Sequence, residues 1–357
     1  MHRLKQSSVQ FAWLTAILLV SLSAPTEAQD RELWINPNLS SYSELPIAVK
    51  VGLRIDQIIH VDQKSENFGA VGDLRMEWRD PNLAFDPLQN ELQFRRYEGG
   101  VFAQKADEEN IFFPSFTIDN QQGRRFKDEA GVVVLPDGKA VYAERFSVTL
   151  QAPDFDFARY PFDNQRFYVS IDTQWPETIM RFLADPEFSG LGDRLGEEEW
   201  VFRDEHVKLT THRNLLGSVA SRITFVFSAH RHIWYYVLRI FVPLVLIVLV
   251  SWVTFFLKDF SKRVDISAGN LLVYVAFNFT ISNDLPRLGY MTFMDSILAA
   301  AFIITCLAVI LNVFLRRLEV AGQEHIARRI DAYTLWVYPS VFTLSVYLAF
   351  HHFFPSW

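Results

Sequence analysis

The stretch RITFVFSAHRHIWYYVLRIFVPLVLIVLVSWVTFFL, residues 222–257, decides the fold of this chain. In its first part apolar and polar residues alternate, which is typical of a β-strand with one buried face. From residue 233 onward it is apolar almost without interruption, and it exceeds the roughly 20 residues that a helix needs to cross a bilayer. The sequence therefore predicts a β-rich domain that continues directly into a membrane domain.

Upstream of this boundary, between about Pro46 and Phe227, short alternating or β-branched segments are divided by turn signals. One turn contains Asp137-Gly138, which supplies the backbone angles of a β-hairpin. Many short strands with few helical patterns predict an antiparallel β-sandwich. The segments are residues 47–59, 68–78, 131–135, 140–150, 166–171 and 222–227.

Downstream, the sequence predicts four membrane spans, at about residues 233–257, 262–284, 292–315 and 332–354. Basic residues follow the first and third spans, so these connections should be cytoplasmic and the N-terminal domain periplasmic or extracellular. We therefore expect a multi-pass protein of the inner (plasma) membrane. The basic residues are Lys258, Lys262 and Arg263 after the first span, and Arg316, Arg317, Arg328 and Arg329 after the third.

The N-terminal residues have the layout of a secretory signal peptide. Arg3 and Lys5 precede the apolar residues 11–22, and small or polar residues continue to Ala28. An uncleaved membrane anchor is the alternative. The expected domains are a signal peptide at 1–28, an exported ligand-binding sandwich at 29–231 and a membrane domain at 232–357.

The composition excludes several functions. The chain has 34 Lys and Arg against 41 Asp and Glu and no basic tract, so no nucleic-acid partner is expected. Cys306 is the only cysteine, which rules out disulfide frameworks and cysteine–zinc clusters. No phosphate loop, nucleophile elbow or zinc-protease motif is present, so we expect neither an enzyme nor a cofactor. His230 and His232 could bind a metal, but their place at the domain boundary favours an interfacial or proton-sensing role, and no metal site is predicted.

The second span is too polar for a helix that faces lipid, because polar groups at membrane depth need protein or water around them. Residues three or four apart form one helix face, which is polar at its cytoplasmic end and apolar further along. Such a face suits a pore with an ion-selecting ring and a hydrophobic gate. The predicted pore-lining residues are Ser261, Asp265, Gly269, Leu272, Ala276, Phe279 and Asn283.

Two interpretations of this span remain open. It either lines a pore, with Asp265 as the selectivity residue and Leu272 and Phe279 as the gate, or packs inside a bundle through its polar groups. A single four-helix subunit is too small to enclose a water-filled pore. The pore interpretation therefore requires a symmetric ring of subunits.

Three motifs carry a resemblance to a known family. Tyr160-Pro161-Phe162-Asp163 lies in the loop 153–167, the sequence FSKR at 260–263 leads into the second span and NDLPRLGY at 283–290 follows it, and EWRDPNL occupies residues 77–83. Together they resemble the signature loop, the second-span flanks and the strand-two motif of pentameric ligand-gated ion channels, the Cys-loop receptor superfamily. Pro153 and Phe167 stand where animal receptors have the disulfide, and the short linker 318–329 also resembles the bacterial, cysteine-free members.

The resemblance implies an α+β membrane protein, in which an antiparallel β-sandwich is followed by a four-helix transmembrane bundle. It further implies a homopentamer embedded in membrane lipids, with agonist sites between neighbouring sandwiches. Few aromatic residues occupy these sites, so a cage for quaternary ammonium is not expected. The ligand-binding candidates are Phe116, Asp119, Trp175 and His212 on the principal face, and Arg75 and Tyr142 on the complementary face.

The resemblance also implies coupling where the two domains meet. Arg231 and Asp163 match a paired Arg and Asp of the family, and Glu66 in the loop 62–67 is expected as a third member. The alternative is that Arg231 only anchors the chain at the membrane interface beside Trp234. The other expected coupling residues are Pro161, Phe162 and Pro286.

We therefore expect a ligand-gated channel that is opened by a small-molecule agonist or by protons and that conducts cations. A ring of Asp265 carboxylates would favour cations, and the Pro-Ala insertion of anion-selective relatives is missing before Lys262. Against this, many cation channels carry Glu at the position of Lys262, and Asp265 could instead pair with Arg263. A non-channel membrane sensor is the competing hypothesis, although the linker 318–329 is too short for a cytoplasmic effector.

Overall fold

The structure is a computed structural model that describes residues 39, 42, 44–90, 93–193, 195–196, 199–282 and 288–355, without the side chains of residues 89 and 90. The expected signal peptide at 1–28 lies outside the described residues. The same holds for Asn283 and Pro286.

The N-terminal domain is a sandwich of two β-sheets. One sheet has the strand order β3-β5-β6-β2-β1-β8 with β9 beside β1, and the other has the order β10-β11-β7-β4. Neighbours are antiparallel except that β1 pairs in parallel with β8 and β9. The strands are β1 Ile47–Asp62, β2 Asn67–Arg79, β3 Arg95–Glu98, β4 Phe116–Ile118, β5 Gln121–Val134, β6 Lys139–Gln151, β7 Asn164–Pro176, β8 Met180–Ala184, β9 Gly190–Leu191, β10 Trp200–Arg213 and β11 Val219–Arg231. A 3-10 turn at Pro81–Leu83 and helices at Pro87–Asn90 and Gly99–Glu108 join the first strands.

Alternation along the strands places every second side chain in the core between the sheets. In β6, for example, Tyr142, Phe146 and Leu150 are buried while Ala143 and Arg145 are exposed. The predicted sandwich, followed by four apolar helices, is thereby confirmed.

The hairpin between β5 and β6 depends on a glycine. The backbone N–H of Leu135 donates to the carbonyl of Lys139 at 2.8 Å, and Gly138 has a φ of 81°. A Cβ at Gly138 would lie 2.5 Å from the carbonyl oxygen of Asp80. Only glycine fits this position, because both the backbone angle and the space exclude a side chain.

Aromatic packing fills the place at which a disulfide would close the loop 153–167. The ring of Phe167 is fully buried and stacks on Phe227 with centroids 5.5 Å apart and planes at 6°. Phe68 and Phe155 each meet it edge-on at 5.1 Å. The loop is therefore anchored by apolar burial and ring contacts.

Within the part of the chain that the structure describes, four helices are long and apolar enough to cross a membrane: Ile233–Thr254, Phe260–Ile281, Phe293–Val320 and Glu324–Phe353. We refer to them as the first to fourth helices. The third and fourth extend further toward the cytoplasm than the hydropathy pattern predicts, so that residues 321–323 alone separate them. There the N–H groups of Gly322 and Gln323 donate to the carbonyls of Glu319 and Leu318, a Schellman turn with Gly322 at a φ of 77°.

Two prolines shape the bundle. Pro243 follows a π-helical turn at Val237–Phe241 in the first helix. Pro339 lies inside the fourth helix and cannot donate to the carbonyl four residues earlier. That carbonyl, of Leu335, instead accepts a hydrogen bond of 2.8 Å from the indole Nε1 of Trp252, which ties the first helix to the fourth.

We predict that Phe167→Ala lowers the free energy of unfolding by about 3–5 kcal/mol, because it leaves a cavity in the aromatic core. Thermal or denaturant unfolding of the purified full-length protein in detergent measures the effect. Phe126→Ala is the matched control, since its ring is 58% exposed and its removal should change stability by less than about 0.5 kcal/mol. Equal effects of the two substitutions would contradict the role of Phe167.

Candidate functional site

One face of the second helix has no neighbours among the residues that the structure describes. Leu272 is 70% exposed and Phe279 72%, although both are large apolar side chains. Ser261, Asp265, Gly269 and Ala276 are exposed on the same face, and a Cβ at Gly269 would meet no atom within 4 Å. The structure thus brings six of the seven predicted pore residues onto one uncovered stripe, and Asn283 lies outside the described residues.

The opposite face of this helix is bonded to its neighbours. Asn270 donates through Nδ2 to the carbonyl of Ile247 at 2.8 Å and to the hydroxyl of Ser251 at 2.7 Å, both in the first helix. The hydroxyl of Tyr274 donates to the carbonyl of Leu298 in the third helix at 2.7 Å. These buried bonds fix which face of the second helix stays uncovered.

Asp265 does not pair with Arg263. The Arg263 side chain turns into the bundle, where it is 3% exposed and forms a bidentate ion pair with Asp331 of the fourth helix. Lys262 stays exposed near Asp259 at 4.0 Å. The expected alternative, an Asp265 neutralised by Arg263, is therefore wrong.

At the other end of the membrane domain, Arg231 closes β11 just before the first helix. Its Nε lies 3.0 Å from Oδ1 of Asp163 and its Nη2 3.5 Å from Oδ2, and both side chains are buried. The pair predicted from the sequence is therefore formed in the structure, deep between the two domains rather than at the lipid surface.

A second carboxylate completes this pair, and it is Glu199, not Glu66. Glu199 accepts from Nη1 of Arg231 and, at 2.6 Å, from the hydroxyl of Tyr236 in the first helix. Glu66 is exposed in the turn between β1 and β2, and the ion pairs of Arg231 go to Asp163 and Glu199. The ion pairs of Arg231 thus include Glu199, just before β10, and not Glu66, whose part in coupling stays a prediction.

Aromatic rings cover the guanidinium. The Cζ of Arg231 lies 4.0 Å from the ring centroid of Trp200 and 4.8 Å from that of Tyr160. Burial opposes the charged form, but the carboxylates of Asp163 and Glu199 outweigh it and hold the pKa of Arg231 above its ordinary value. Burial also raises the pKa of Tyr160 to about 12, so its hydroxyl stays neutral. Arg231 is thus a permanently charged, desolvated anchor between the domains.

The loop 153–167 contacts the helices through backbone and ring atoms. The carbonyl of Ala158 accepts from the N–H of Phe293 at 2.8 Å, and the hydroxyl of Tyr290 accepts from the N–H of Phe157 at 3.1 Å. The ring of Phe162 lies against Phe241, Phe293 and Phe354, at centroid distances of 6.2, 5.8 and 6.1 Å. The peptide bond between Tyr160 and Pro161, just before Phe162, is cis.

Four ligand-binding candidates lie together on the second sheet. Asp119 forms an ion pair of 2.9 Å with Arg222, and His212 lies 3.5 Å from Asp172. Trp175 is half-buried, and its indole donates to the carbonyl of Phe113 at 3.1 Å. Phe116 lies under the guanidinium of Arg125, with Cζ 4.8 Å from its ring centroid.

The other two candidates lie on the first sheet. Arg75 pairs with Glu77 at 3.3 Å and covers the ring of Phe188. Tyr142 is buried, and its hydroxyl is bonded to the buried Glu144, so within one chain it is a core residue. No group of three metal-ligating side chains occurs among the residues that the structure describes.

Sequence reasoning missed four residues that organise these sites: Glu199, Asp331, Asp172 and Arg222. Arg222 binds Asp172 through two hydrogen bonds of 2.6 and 2.5 Å and links it to Asp119. These hydrogen bonds raise the pKa of Arg222. For Asp331, the sequence did contain a signal. It is an acidic residue next to an apolar run, at the same cytoplasmic end of the membrane domain as the basic residue Arg263 of another span.

Comparison with known proteins gives the family of this arrangement. Residues 32–232 match the family described as the neurotransmitter-gated ion-channel ligand binding domain. The chain belongs to this family. It is a ligand-gated ion channel subunit, a multi-pass membrane protein with an extracellular N-terminal domain, and its family consists of channels rather than enzymes.

Similar proteins come from bacteria and animals. The proton-gated ion channel of Gloeobacter violaceus is 28% identical over 308 residues, which cover 85% of this chain and 83% of that protein. The human gamma-aminobutyric acid receptor subunit rho-2 is 24% identical over 276 residues, 74% of this chain and 57% of its own length. The pH-sensitive chloride channel 2 of Drosophila melanogaster is 24% identical over 299 residues, with 78% and 55% covered. The chain thus spans little more than half the length of the animal relatives.

We predict that Asp163→Asn destabilises the protein by about 3–5 kcal/mol, because it removes a charged partner from a buried guanidinium. Thermal unfolding in detergent measures the effect. Glu66→Gln is the control and should leave stability unchanged, since Glu66 is exposed and is no partner of Arg231. A larger effect at Glu66 than at Asp163 would show that the junction is organised differently.

Proposed function

We propose that five copies of this chain form a homopentameric, cation-selective channel that is opened by protons or a small agonist acting on the extracellular domain. The observation that carries the proposal is the uncovered stripe of the second helix, from Ser261 to Phe279. An exposed carboxylate at membrane depth is costly in lipid. A closed ring of subunits places the same stripe around water.

The charge along the stripe supports cation conduction. Asp265 is exposed at the cytoplasmic end, whereas Arg263 is paired and turned into the bundle. Five carboxylates around a narrow passage attract cations and repel anions. Relatives named for chloride exist, so this part of the proposal rests on Asp265 rather than on the family.

We place the gate at the rings of Leu272 and Phe279. Asp265 and Leu272 are seven residues apart, about 10 Å along the helix axis. Large apolar side chains that narrow a pore exclude water and thereby ions. The stripe therefore combines a polar, ion-selecting end with an apolar constriction on its extracellular side.

Coupling between the domains is proposed to run through the junction around Arg231. Asp163 belongs to the loop that contacts the third helix, and Glu199 bonds to Tyr236 of the first. A displacement of the β-sandwich moves these charges together, because breaking a buried pair costs about 3–5 kcal/mol. The helices thereby move together with the extracellular domain, and the two domains do not move independently.

Protons are the agonist that the site supports best. Trp175 and Tyr142 are engaged in core hydrogen bonds, which leaves no open aromatic cage. The Gloeobacter violaceus relative is named as proton-gated. His230 adds a titratable group on β11, one residue before Arg231, in a groove shared with Arg159, Phe162 and Asp163.

The charge around His230 gives the direction of a pH effect. Burial, then Arg203 and His232, lower the pKa of His230, and Asp204 opposes them only in part. This conformation therefore disfavours protonation, and its stability is full above the ordinary histidine pKa of about 6.5 and falls as the pH drops below it. Acid favours any conformation in which His230 is more solvated, such as an open state.

The proposed assembly and selectivity are tested on the purified full-length protein. Native mass measurement should give a pentamer, and in planar bilayers with a salt gradient Asp265→Asn should move the reversal potential away from the cation equilibrium value. Lys262→Gln, at an exposed position one turn earlier, is the control and should not shift the reversal potential toward the anion equilibrium value. A monomer without current would favour a non-channel sensor, and an unchanged potential in a conducting Asp265→Asn pentamer would refute selectivity at this ring.

We predict that His230→Gln moves the pH of half-maximal activation to a more acidic value by about 0.5 unit or more. The reason is the loss of one group whose protonation disfavours the resting conformation. Proton-evoked currents over pH 8 to pH 4 measure the shift. His206→Gln, an exposed histidine on β10, is the matched control and should leave the curve in place. Equal shifts in both variants would contradict a specific role of His230.

A further inference from the structure

Arg263 is a buried cation at the cytoplasmic end of the membrane domain. Its side chain is 3% exposed, and its ring neighbour Phe260 lies 4.7 Å from Cζ. An isolated charge in such a place would be strongly destabilising, so its partners determine which way the start of the second helix can face.

The guanidinium binds three residues from two other parts of the membrane domain. Nε donates to the carbonyl of Leu257 at 2.5 Å, and Nη2 donates to that of Phe255 at 2.9 Å, both just past the first helix. Nη1 donates to Oδ1 of Asp331 in the fourth helix, and Nη2 donates to Oδ2 of the same carboxylate at 2.9 Å. Only the planar fork of an arginine can serve carbonyls and a carboxylate together.

Asp331 lies on the helix that is least covered by the rest of the chain. The second and fourth helices otherwise pack mainly against the third. At this end they meet in a small apolar cluster of Phe260, Leu315 and Ala327. The ion pair with Arg263 is the charged link across this cluster.

The orientation of Arg263 fixes that of Asp265. Two residues along a helix correspond to a rotation of about 200°, so a side chain at 263 held against the fourth helix leaves the one at 265 on the far side. That side is the uncovered stripe. Asp259 caps the same helix end by accepting from the N–H groups of Ser261 and Lys262 at 2.9 and 3.3 Å, which fixes where the helix begins but not its rotation.

We propose that Asp331 is a positioning residue of the channel: through Arg263 it sets the rotation of the cytoplasmic end of the second helix and so keeps Asp265 in the pore. The outermost helix thereby controls the selectivity ring without touching it. This inference rests on the proposed function, since it takes Asp265 to face an aqueous path.

The test uses the full-length protein with Cys306→Ala and Asp265→Cys, so that the introduced thiol is the only one. Its rate of modification by a water-soluble, charged thiosulfonate reagent is measured in liposomes. Asp331→Asn should lower the rate about tenfold, because the released helix end rotates the thiol away from water. Asp331→Glu should restore it largely. Glu324→Gln, which breaks the exposed pair with Arg328 one to two turns earlier on the same helix, is the matched control and should have no effect.

An unchanged modification rate in an assembled Asp331→Asn pentamer overturns the inference. If that variant does not assemble, Arg263→Lys is measured instead, because it keeps the charge and loses the fork; an unchanged rate there overturns the inference equally. The reversal potential of Asp265→Asn distinguishes the two proposals. If that potential is unchanged while the thiol rate depends on Asp331, selectivity at Asp265 fails and the positioning role stands.

Discussion

The architecture depends on one desolvated guanidinium, that of Arg231. A buried charge is tolerated only where opposite charges and hydrogen bonds surround it, and Arg231 finds them in Asp163, Glu199 and Tyr236. Because these partners come from the loop after β6, from the segment before β10 and from the first helix, they must meet at one point. The strand β11 ends there and the membrane domain begins. The solvation requirement of this side chain thus constrains the relative position of the two domains, together with the contacts of Ala158 and Phe162 with the helices.

A similar constraint operates at the opposite end of the membrane domain. Arg263 is satisfied by Asp331 and by two carbonyls beyond the first helix. Between the two cations, hydrogen bonds of Asn270 and Tyr274 hold the second helix to its neighbours. All of these bonds lie on one face, so the polar and apolar side chains of the other face remain without partners among the described residues.

In the extracellular domain, apolar packing rather than a disulfide anchors the loop 153–167. Phe167, which the resemblance places where animal receptors have a cysteine, stacks on Phe227 and fills the core beside the loop that carries Asp163. Burial of an aromatic ring does not fix the direction of the backbone as a disulfide does. The conformation of the loop is fixed in addition by hydrogen bonds of Gln165, which donates to the carbonyl of Asp156 at 2.7 Å and also binds Asp163.

The sequence by itself determined the β-sandwich, the four apolar helices, the stripe on the second helix and the pair of Arg231 with Asp163. Alternation, span length and helical spacing are local properties, and the pair was implied by the resemblance to pentameric ligand-gated ion channels. Only the tertiary structure decided that Glu199 rather than Glu66 completes that pair, and that Arg263 binds Asp331 and not Asp265. Ion-pair partners that are distant in sequence depend on which backbone segments meet in space and on how much water remains there. The start of the fourth helix at Glu324 was missed for a different reason: the Schellman turn that ends the third helix and the Glu324–Arg328 pair are local, but they lie in a polar stretch that hydropathy does not detect.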